Sequence, residues 1–277
     1  MTATEEVQIH VASINTRAAT ELCIRTVHQF AGHPFRLTVG DCGSIDGSIE
    51  MLQDFQRQSL LTLEVAPGGR RHADWLDGWL AGCQSRWALF IDSDMEFLAE
   101  GWLREAVAVA EEAGARLVCE YLSPSDPHYV SPINGVHLSL AARPSPWFLL
   151  VEAPVAREVD VSFAGTKWTD QVTGRATSYD VGGRLLEALQ QSGHRAVQLP
   201  QQTRAKMVHY GGLSWLPGGR GVNRHQQEGG APMGRYGVGL RSAGTAARQL
   251  RKVVVVHSHL RRVRRIQRLG IMAGGGR

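Results

Sequence analysis

The chain has 277 residues, of which 43% are hydrophobic and 20% charged, a balance that excludes a disordered protein and allows a full core. No apolar run is long enough to cross a bilayer, and the polar, acidic start at 1–6 is unlike a secretory signal. The four cysteines lack metal-type pairing and indicate reduced thiols. We therefore expect a cytoplasmic protein with one large α/β domain, with or without a small appendage.

The charge of the chain is unevenly distributed. The net charge is +4, yet residues 241–277 contain ten Lys or Arg and no Asp or Glu. Subtracting these from the totals of 30 basic and 26 acidic residues leaves 20 basic and 26 acidic residues in 1–240, a net of −6. The body of the protein is therefore mildly acidic, and its tail is strongly basic.

Strand and helix patterns alternate along the first part of the chain. Such alternation is typical of βαβ units, and it predicts a mostly parallel sheet flanked by helices. The predicted elements are, in order, a strand at Val7–Ile14, a helix across Ala18–Phe30, a strand at Phe35–Val39, a helix after Ser48, a strand at Leu60–Val65, a helix across Trp75–Cys83 and a strand at Ala88–Ile91.

Two carboxylates, Asp92 and Asp94, follow the apolar strand Ala88–Ile91 directly. Ligands bind at the carboxyl ends of the strands in parallel sheets, and residues i and i+2 of an extended segment point the same way. Two convergent carboxylates suit Mg²⁺ or Mn²⁺ and the phosphates that the cation carries. The alternative is that one of them caps a helix beginning near Ala99.

A glycine-rich loop, 41–48, joins the second predicted strand to the second predicted helix. It matches neither the dinucleotide fingerprint nor the P-loop, so we expect a tight turn in which Asp46 or Ser48 caps the helix. Asp41 stands at the carboxyl end of its strand, and we expect it to contact a ligand.

The segments Val39–Ser48 and Leu89–Asp94 together resemble two elements of family 2 glycosyltransferases, Val-Asp-Asn-Gly-Ser-Thr-Asp-Gly-Ser and Asp-x-Asp. The resemblance covers the first two-thirds of the chain and implies a GT-A fold, a Rossmann-like α/β sheet. It also implies a nucleotide-diphosphate sugar as donor, a UDP-sugar in the first instance, and contacts with the nucleotide. The positions that match those contacts are Ser13, Thr16, Arg17, Asp41, Arg71, Asp92 and Ser93. An exposed surface turn is the alternative for Arg71.

Two departures from the family pattern concern recognition of the nucleotide base and the catalytic carboxylate. Cys42 stands where the common form of the first element has a second carboxylate. The usual Glu-Asp pair before the last core helix is absent, and Ser178–Leu186 takes its place. The Asp-to-Arg-Leu-to-Gly spacing of that segment resembles the family's, and the resemblance implies Asp180 as the candidate general base, with Asp170 as the second candidate. Either aspartate could cap a helix instead.

His209 follows a short predicted strand, at the point where many GT-A enzymes supply a metal-binding histidine. The resemblance implies that Asp94 and His209 bind the divalent cation, Mn²⁺ or Mg²⁺, while Asp92 approaches the ribose or the metal's water shell. The alternative is a structural or surface histidine.

The remaining chain divides into a glycine-rich segment, 216–240, and a basic helical tail, 241–277. Cationic residues of the first could close over a diphosphate, and an unstructured connection is the alternative. The tail has a helical apolar stripe flanked by arginines. Packing on the domain or on a second copy in a homo-oligomer is favoured over contact with the inner face of a membrane, and nucleic acid comes last because no aromatic residue interleaves the charges.

These features and the resemblance together predict a metal-dependent glycosyltransferase of the hexosyltransferase type that acts on an acceptor hydroxyl. Inversion of configuration is implied by the resemblance alone. The catalytic domain would occupy 1–215, with the nucleotide-binding half at 1–100 and the acceptor half at 101–215. Two alternatives stay open at this point. One is a sugar-1-phosphate nucleotidyltransferase, although 11–17 lacks the glycine expected there. The other is a nucleotide-binding scaffold without turnover.

Overall fold

The computed structural model describes residues 6–66, 69–130, 137–169, 176–213 and 243–274 of the chain. Strands and helices alternate through its first part, as the sequence predicts. They are β1 Val7–Ser13, α1 Arg17–Phe30, β2 Phe35–Asp41, α2 Ser48–Arg57, β3 Thr62–Val65, α3 His72–Gly82 and β4 Trp87–Asp92.

The second part is richer in short strands. Its elements are β5 Met95–Phe97, α4 Trp102–Glu112, β6 Ala115–Cys119, β7 Leu122–Ser123, β8 Asp126–Val130, β9 His137–Leu140, β10 Arg143–Pro144, β11 Phe148–Glu152, α5 Ala153–Glu158, β12 Thr166–Thr169, β13 Ala176–Tyr179, α6 Gly183–Gln191, β14 Arg195–Gln198, α7 Gln201–Arg204, β15 Met207–His209 and α8 Ala243–Gly274.

A seven-stranded sheet forms the centre, in the order β14-β6-β11-β4-β1-β2-β3. Every neighbouring pair is parallel except the two made by β11, which runs antiparallel between β4 and β6. The predicted mostly parallel α/β sheet with flanking helices and a C-terminal helix is confirmed. A smaller sheet, β12-β13-β9-β8, and the pairs β10-β7 and β15-β5 lie outside it.

Strand β4 is buried on both faces, as its continuous apolar run predicts. Leu89 and Ile91 pack into one hydrophobic cluster, together with Trp102 of α4. Ala88 and Phe90 face the other way and pack into a second cluster. Helices cover both faces of the sheet, so β4 can end in polar residues only at its carboxyl edge, where it emerges from the core.

Two helix starts bear on the expected caps, and one of them differs from the expectation. Helix α4 begins at Trp102, after Gly101 in the left-handed region (φ 83°), so neither Asp92 nor Asp94 caps it. The short strand β5 occupies the space between. Helix α2 follows a left-handed Gly47 (φ 82°), and the Ser48 N–H donates to Asp46 Oδ1 at 3.1 Å. Asp46 therefore performs the capping expected of Asp46 or Ser48.

Helix α8 packs against α1 and the segment that follows β15. Its apolar side chains join a third cluster, composed of Ala19, Leu22, Tyr210, Leu213, Val256, Leu260 and Val263. Arg264 of α8 forms an ion pair with the buried Glu21 of α1. Among the described helices, none combines the length and apolar character needed to cross a membrane.

Candidate active site

Asp92, Asp94 and His209 form one cluster at the carboxyl edge of the central sheet. Asp92 ends β4, and Asp94 lies in the turn that leads into β5. Strand β15 pairs antiparallel with β5 and places His209 opposite Met95. The Nε2 atom of His209 lies 3.1 Å from Asp94 Oδ1 and 3.4 Å from Asp92 Oδ2. One donor atom from each of the three side chains lies within 4.8 Å of the others, so the predicted metal ligands come together.

The two carboxylates determine the charge of His209. Burial alone would lower the pKa of its imidazole, but the close contacts with Asp92 and Asp94 and the negative charges of these carboxylates outweigh burial and raise that pKa to about 9. Burial likewise opposes ionisation of Asp92, but contact with His209 and the nearby His72 holds the pKa of this carboxyl below its usual value. The cluster therefore contains two carboxylates that attract a cation. In the metal-free protein the protonated imidazole of His209 supplies part of the positive charge that balances them.

The donor set fits a divalent cation. The Nε2 atom of His209 is buried and has no well-directed hydrogen bond, so its short contacts with the carboxylates are ionic. Two carboxylates and one imidazole suit Mn²⁺ or Mg²⁺, and the imidazole favours Mn²⁺ of the two. Asp92, expected near the ribose or the water shell, also offers a carboxylate oxygen within 4.8 Å of the donor atoms of Asp94 and His209.

Trp147 fixes the orientation of the His209 ring. The two rings stack with centroids 4.8 Å apart and planes 15° from parallel. The indole N–H of Trp147 donates to Glu120, and the Trp147 carbonyl accepts the Asp92 N–H at 3.2 Å. One residue, Trp147, thus holds two members of the cluster. No pattern in the sequence indicated that Trp147 positions these side chains.

Backbone donors after β15 hold Asp94 in place. The N–H of Tyr210 donates to the Asp94 carbonyl at 3.1 Å, and the N–H of Leu213 lies 3.3 Å from Asp94 Oδ2. Gly211, with φ of 63°, lets the chain turn beside His209, because L side chains rarely adopt this left-handed conformation. The segment that follows His209 is therefore part of the site.

Helix α8 supports the same segment. Lys252 Nζ donates to the Gly211 carbonyl at 2.9 Å. The Tyr210 hydroxyl donates to the buried Glu96 of β5, and His259 Nδ1 lies 2.8 Å from the same carboxylate oxygen. The sequence predicted packing of the tail, but no pattern indicated these polar contacts, because they join residues far apart in the chain.

Three of the expected nucleotide contacts belong to a buried hydroxyl cluster beside the metal ligands. Thr16 Oγ1 lies 2.9 Å from Ser93 Oγ and 3.4 Å from Ser13 Oγ. Thr20 completes the cluster, 3.0 Å from Ser13 and 2.9 Å from Thr16. This network joins the end of β1 to the turn between Asp92 and Asp94. Ser13, Thr16 and Ser93 are thus near the site, and a direct contact with a nucleotide stays a prediction.

Asp41 is fully buried and bonds to its own loop. Its Oδ1 accepts the N–H groups of Gly43 and Ser44 at 2.9 and 2.7 Å, and its Oδ2 accepts the Ser44 hydroxyl at 2.6 Å. Burial raises the pKa of this carboxyl, and the three hydrogen bonds oppose that rise. Asp41 shapes the loop, and the ligand contact expected of it stays a prediction.

The loop after β2 is tied to the start of α1. The N–H of Asn15 donates to Ser44 Oγ at 2.9 Å, and Asn15 Oδ1 accepts the Ile45 N–H at 2.9 Å. The Arg17 N–H donates to Asp46 Oδ2 at 2.9 Å. Arg17 is exposed and lines a cleft of about 440 Å³ between α1 and α8. Asn15 and Asp46 are site-shaping residues that the sequence did not single out for this role.

Arg71 is exposed at the start of α3. Its guanidinium donates to both carboxylate oxygens of Asp74, at 2.8 and 2.6 Å. The adjacent Arg70 stacks over Trp75, 4.4 Å from the ring centroid. His72 points to the cluster, with Nε2 3.9 Å from Asp92 Oδ1. In this segment His72, and not Arg71, is the side chain next to the metal ligands.

Asp180 lies between β13 and α6, half exposed, and forms an ion pair with Arg143 of β10. Its Oδ1 also accepts the Val181 N–H at 2.8 Å. Arg143 precedes Trp147 by four residues, so their Cα atoms lie at most about 14 Å apart. Asp170 and the segment 216–240 lie outside the described residues, so the role expected of each stays a prediction.

No protein-family model matches the chain, and no curated protein matches it. Solved structures similar to it include S. aureus TarS 1–349 with UDP, at 16% identity and a TM-score of 0.42, covering 57% of this chain and 50% of that one. TarS 1–349 with UDP-GlcNAc has 13% identity and a TM-score of 0.41, covering 93% of this chain and 82% of that one.

A third similar structure is the mannosyltransferase PcManGT from Pyrobaculum calidifontis in complex with GDP-Man and Mn²⁺. It has 14% identity and a TM-score of 0.48, covering 91% of this chain and 75% of that one. The chain spans only half the length of the UDP-bound TarS and 38% of a longer TarS chain. At these values the likeness assigns no ligand and no residue's role. The chain is similar to these structures, and its function has to be inferred from its own side chains.

Proposed function

We propose that this chain is a metal-dependent glycosyltransferase of the GT-A type, which transfers a sugar from a nucleotide-diphosphate sugar to an acceptor hydroxyl. The observation that carries the proposal is the convergence of Asp92, Asp94 and His209 at the carboxyl edge of the sheet. Ligands of open α/β sheets bind at this edge. Two carboxylates gathered at this edge attract a cation, because negative charges so close to each other repel unless a positive charge lies beside them.

Asp94 and His209 would hold the cation, with Asp92 as the third ligand. When bound, the cation offsets the negative charge that develops on a departing diphosphate. The residues around it perform the positioning. Trp147 holds the imidazole plane, and the backbone N–H of Leu213 orients the Asp94 carboxylate. A ligand set fixed in this way needs little rearrangement to bind the metal.

The nucleotide would lie along the ends of β1 and β2. Arg17 is exposed beside this edge and could approach a phosphate. Arg71 could do the same if its hydrogen bonds to Asp74 break. Asp41 holds the N–H groups of Gly43 and Ser44, so the loop offers a fixed wall for the base or ribose. We propose a UDP-sugar as the donor, and the ligand panel below tests that choice.

Asp180 is the proposed general base. The acceptor oxygen would attack the anomeric carbon from the face opposite the diphosphate. Its proton passes to the Asp180 carboxylate, the bond between the anomeric carbon and the phosphate oxygen breaks, and the nucleoside diphosphate leaves, so the configuration inverts. The ion pair with Arg143 holds the carboxylate in one position. Asp170 is the second candidate for this role.

The donor site can be tested by thermal stability with a panel of nucleoside diphosphates, with and without Mn²⁺. A ligand that binds the folded state raises the unfolding midpoint. We expect a shift that needs both the metal and one nucleotide and disappears in Asp94→Asn. The matched control is Asp54→Asn, an exposed carboxylate of α2, which should shift as the unchanged protein does. A shift independent of metal would remove Asp94 and His209 from the proposal.

Turnover separates an enzyme from a nucleotide-binding scaffold. With UDP-sugar, Mn²⁺ and an acceptor panel, we expect release of UDP that Asp180→Asn reduces by about 100-fold or more, in line with the loss of a general base. The nucleotide-dependent thermal shift should persist in that variant. Normal turnover in Asp180→Asn, with loss in Asp170→Asn, would transfer the role to Asp170. Binding without any turnover would favour the scaffold, and release of pyrophosphate from a nucleoside triphosphate would favour the nucleotidyltransferase.

A further inference from the structure

The outward side of helix α8 is basic from Arg261 to Arg268. Val256, Leu260 and Val263, at i, i+4 and i+7, are buried against α1. A second stripe at the same spacing starts two residues earlier and is turned by about 200°, so it faces away from the body. That stripe consists of Val254, Ser258, Arg261, Arg265 and Arg268, all of which are exposed.

The three arginines of this stripe form no ion pair with a carboxylate of the described residues. Arg261, Arg264, Arg265 and Arg268 line one surface recess of about 360 Å³. Of these, Arg264 pairs with Glu21, while within the described residues no carboxylate lies at ion-pair distance from the other three. The tail from 241 to 277 contains no acidic residue. Several unpaired guanidinium groups therefore face solvent together, and such a surface attracts a polyanion.

Exposed aliphatic side chains accompany the arginines. Val254 is 68% exposed, Leu250 62%, Ile266 46% and Val255 39%, and all four lie on α8. Large exposed aliphatic groups next to arginines are typical of helices that lie in the interface of an anionic membrane, where lipid accepts the apolar groups and headgroups accept the charges. Nucleic acid would offer the aliphatic groups no comparable environment, and the tail has no aromatic residue on which a base could stack.

We propose that the outward side of α8 docks on the surface of an anionic lipid bilayer. The apolar stripe of α8 is already occupied by α1, so the helix attaches without inserting its apolar side. The attachment is mainly electrostatic and therefore weakens as salt rises. The acidic body, with a net charge of −6 over residues 1–240, is repelled by the same surface, which orients the protein with α8 against the bilayer.

The experiment is co-sedimentation of the full chain with phosphatidylcholine vesicles and with vesicles of equal parts phosphatidylcholine and phosphatidylglycerol. We expect binding to the anionic vesicles alone, decreasing with salt. The triple variant Arg261→Gln, Arg265→Gln, Arg268→Gln should bind about 100-fold more weakly, since each arginine near the surface contributes about fivefold. The control neutralises three exposed arginines of the body, Arg36→Gln, Arg57→Gln and Arg104→Gln, and should bind as the unchanged protein does.

Folding is checked on the same samples. The three tail arginines are exposed, so the triple variant should keep the unfolding midpoint of the unchanged protein. A separate variant, Val254→Ser, should weaken binding while leaving every charge in place. Equal binding to neutral vesicles, unchanged binding of the triple variant, or binding of single-stranded RNA without binding of anionic vesicles would each overturn the proposal. None of these outcomes depends on the proposed enzymatic activity.

Discussion

The pKa of His209 makes a quantitative prediction about metal binding. In the metal-free protein this pKa is about 9, so a metal that binds Nε2 at neutral pH must displace a proton. At pH 7.5 that displacement costs about 2 kcal/mol, or about 30-fold in affinity, since one pKa unit corresponds to about 1.4 kcal/mol. The apparent affinity for Mn²⁺ should therefore rise about tenfold per pH unit from about pH 6.5 to 8.5.

Calorimetric titration of Mn²⁺ at several pH values measures this slope. Removal of the titrating group in His209→Gln should weaken binding and flatten the slope. His128→Gln, an exposed histidine elsewhere, should preserve it. A wild-type affinity independent of pH, or the same slope in His209→Gln, would refute the assignment of Nε2 as a ligand.

The same shift has a consequence for the metal-free fold. The folded pKa of His209 lies above the value of about 6.5 for a free histidine, so the ion cluster contributes all of its stability below about pH 6.5 and loses it as the pH rises towards 9. The stability difference between the wild type and His209→Gln, measured in urea without metal, should therefore shrink across this range. A constant difference would mean that the histidine is neutral throughout.

Two further predictions concern packing. Arg264→Met leaves the buried Glu21 with one of its two arginine partners and should destabilise the protein by about 1–2 kcal/mol, less than the loss of a fully buried pair because Arg264 is partly exposed. Urea unfolding measures the loss, and Glu21→Gln in the same chain should recover part of it. Gly40→Ala should cost about 1–3 kcal/mol, because its Cβ would lie 2.6 Å from the Trp79 ring. In Gly82→Ala, where nothing lies within 4 Å, thermal unfolding should show no such loss.

The first part of the fold was predictable because it is encoded locally. A two-residue or 3.6-residue period, or in β4 a continuous apolar run, appears within each segment, and β1, α1, β2, α2, α3 and β4 follow these patterns closely. The second part of the fold was not predictable, because its strand order depends on pairing between strands that lie far apart in the sequence. Strand β11 enters the sheet antiparallel between β4 and β6, and no local pattern in Phe148–Glu152 indicates which strands it joins. The short strands of the smaller sheet present the same difficulty.

The site divides in the same way. The position of Asp92 and Asp94 at the carboxyl edge of the sheet was predictable, because the apolar run of β4 ends directly before them. His209 lies more than a hundred residues further along, and only the pairing of β15 with β5 brings it there. The family resemblance supplied that position, whereas its stacking on Trp147 required the structure. The position of Asp41 at the end of its strand was predicted correctly, but its hydrogen bonds to its own loop could not be predicted from residue types.

The tail shows why the same sequence pattern can serve two purposes. An apolar stripe flanked by arginines fits both a helix packed on a protein and a helix on a membrane. In α8 the two groups of side chains are separated around the helix axis. Val256, Leu260 and Val263 face α1, and Arg261 and Arg265 face away. Lys252 and His259 extend from the same helix to the segment beside the metal ligands. A protein held on a surface by the outward stripe would therefore carry its candidate active site at a fixed orientation to that surface, since one helix makes both contacts.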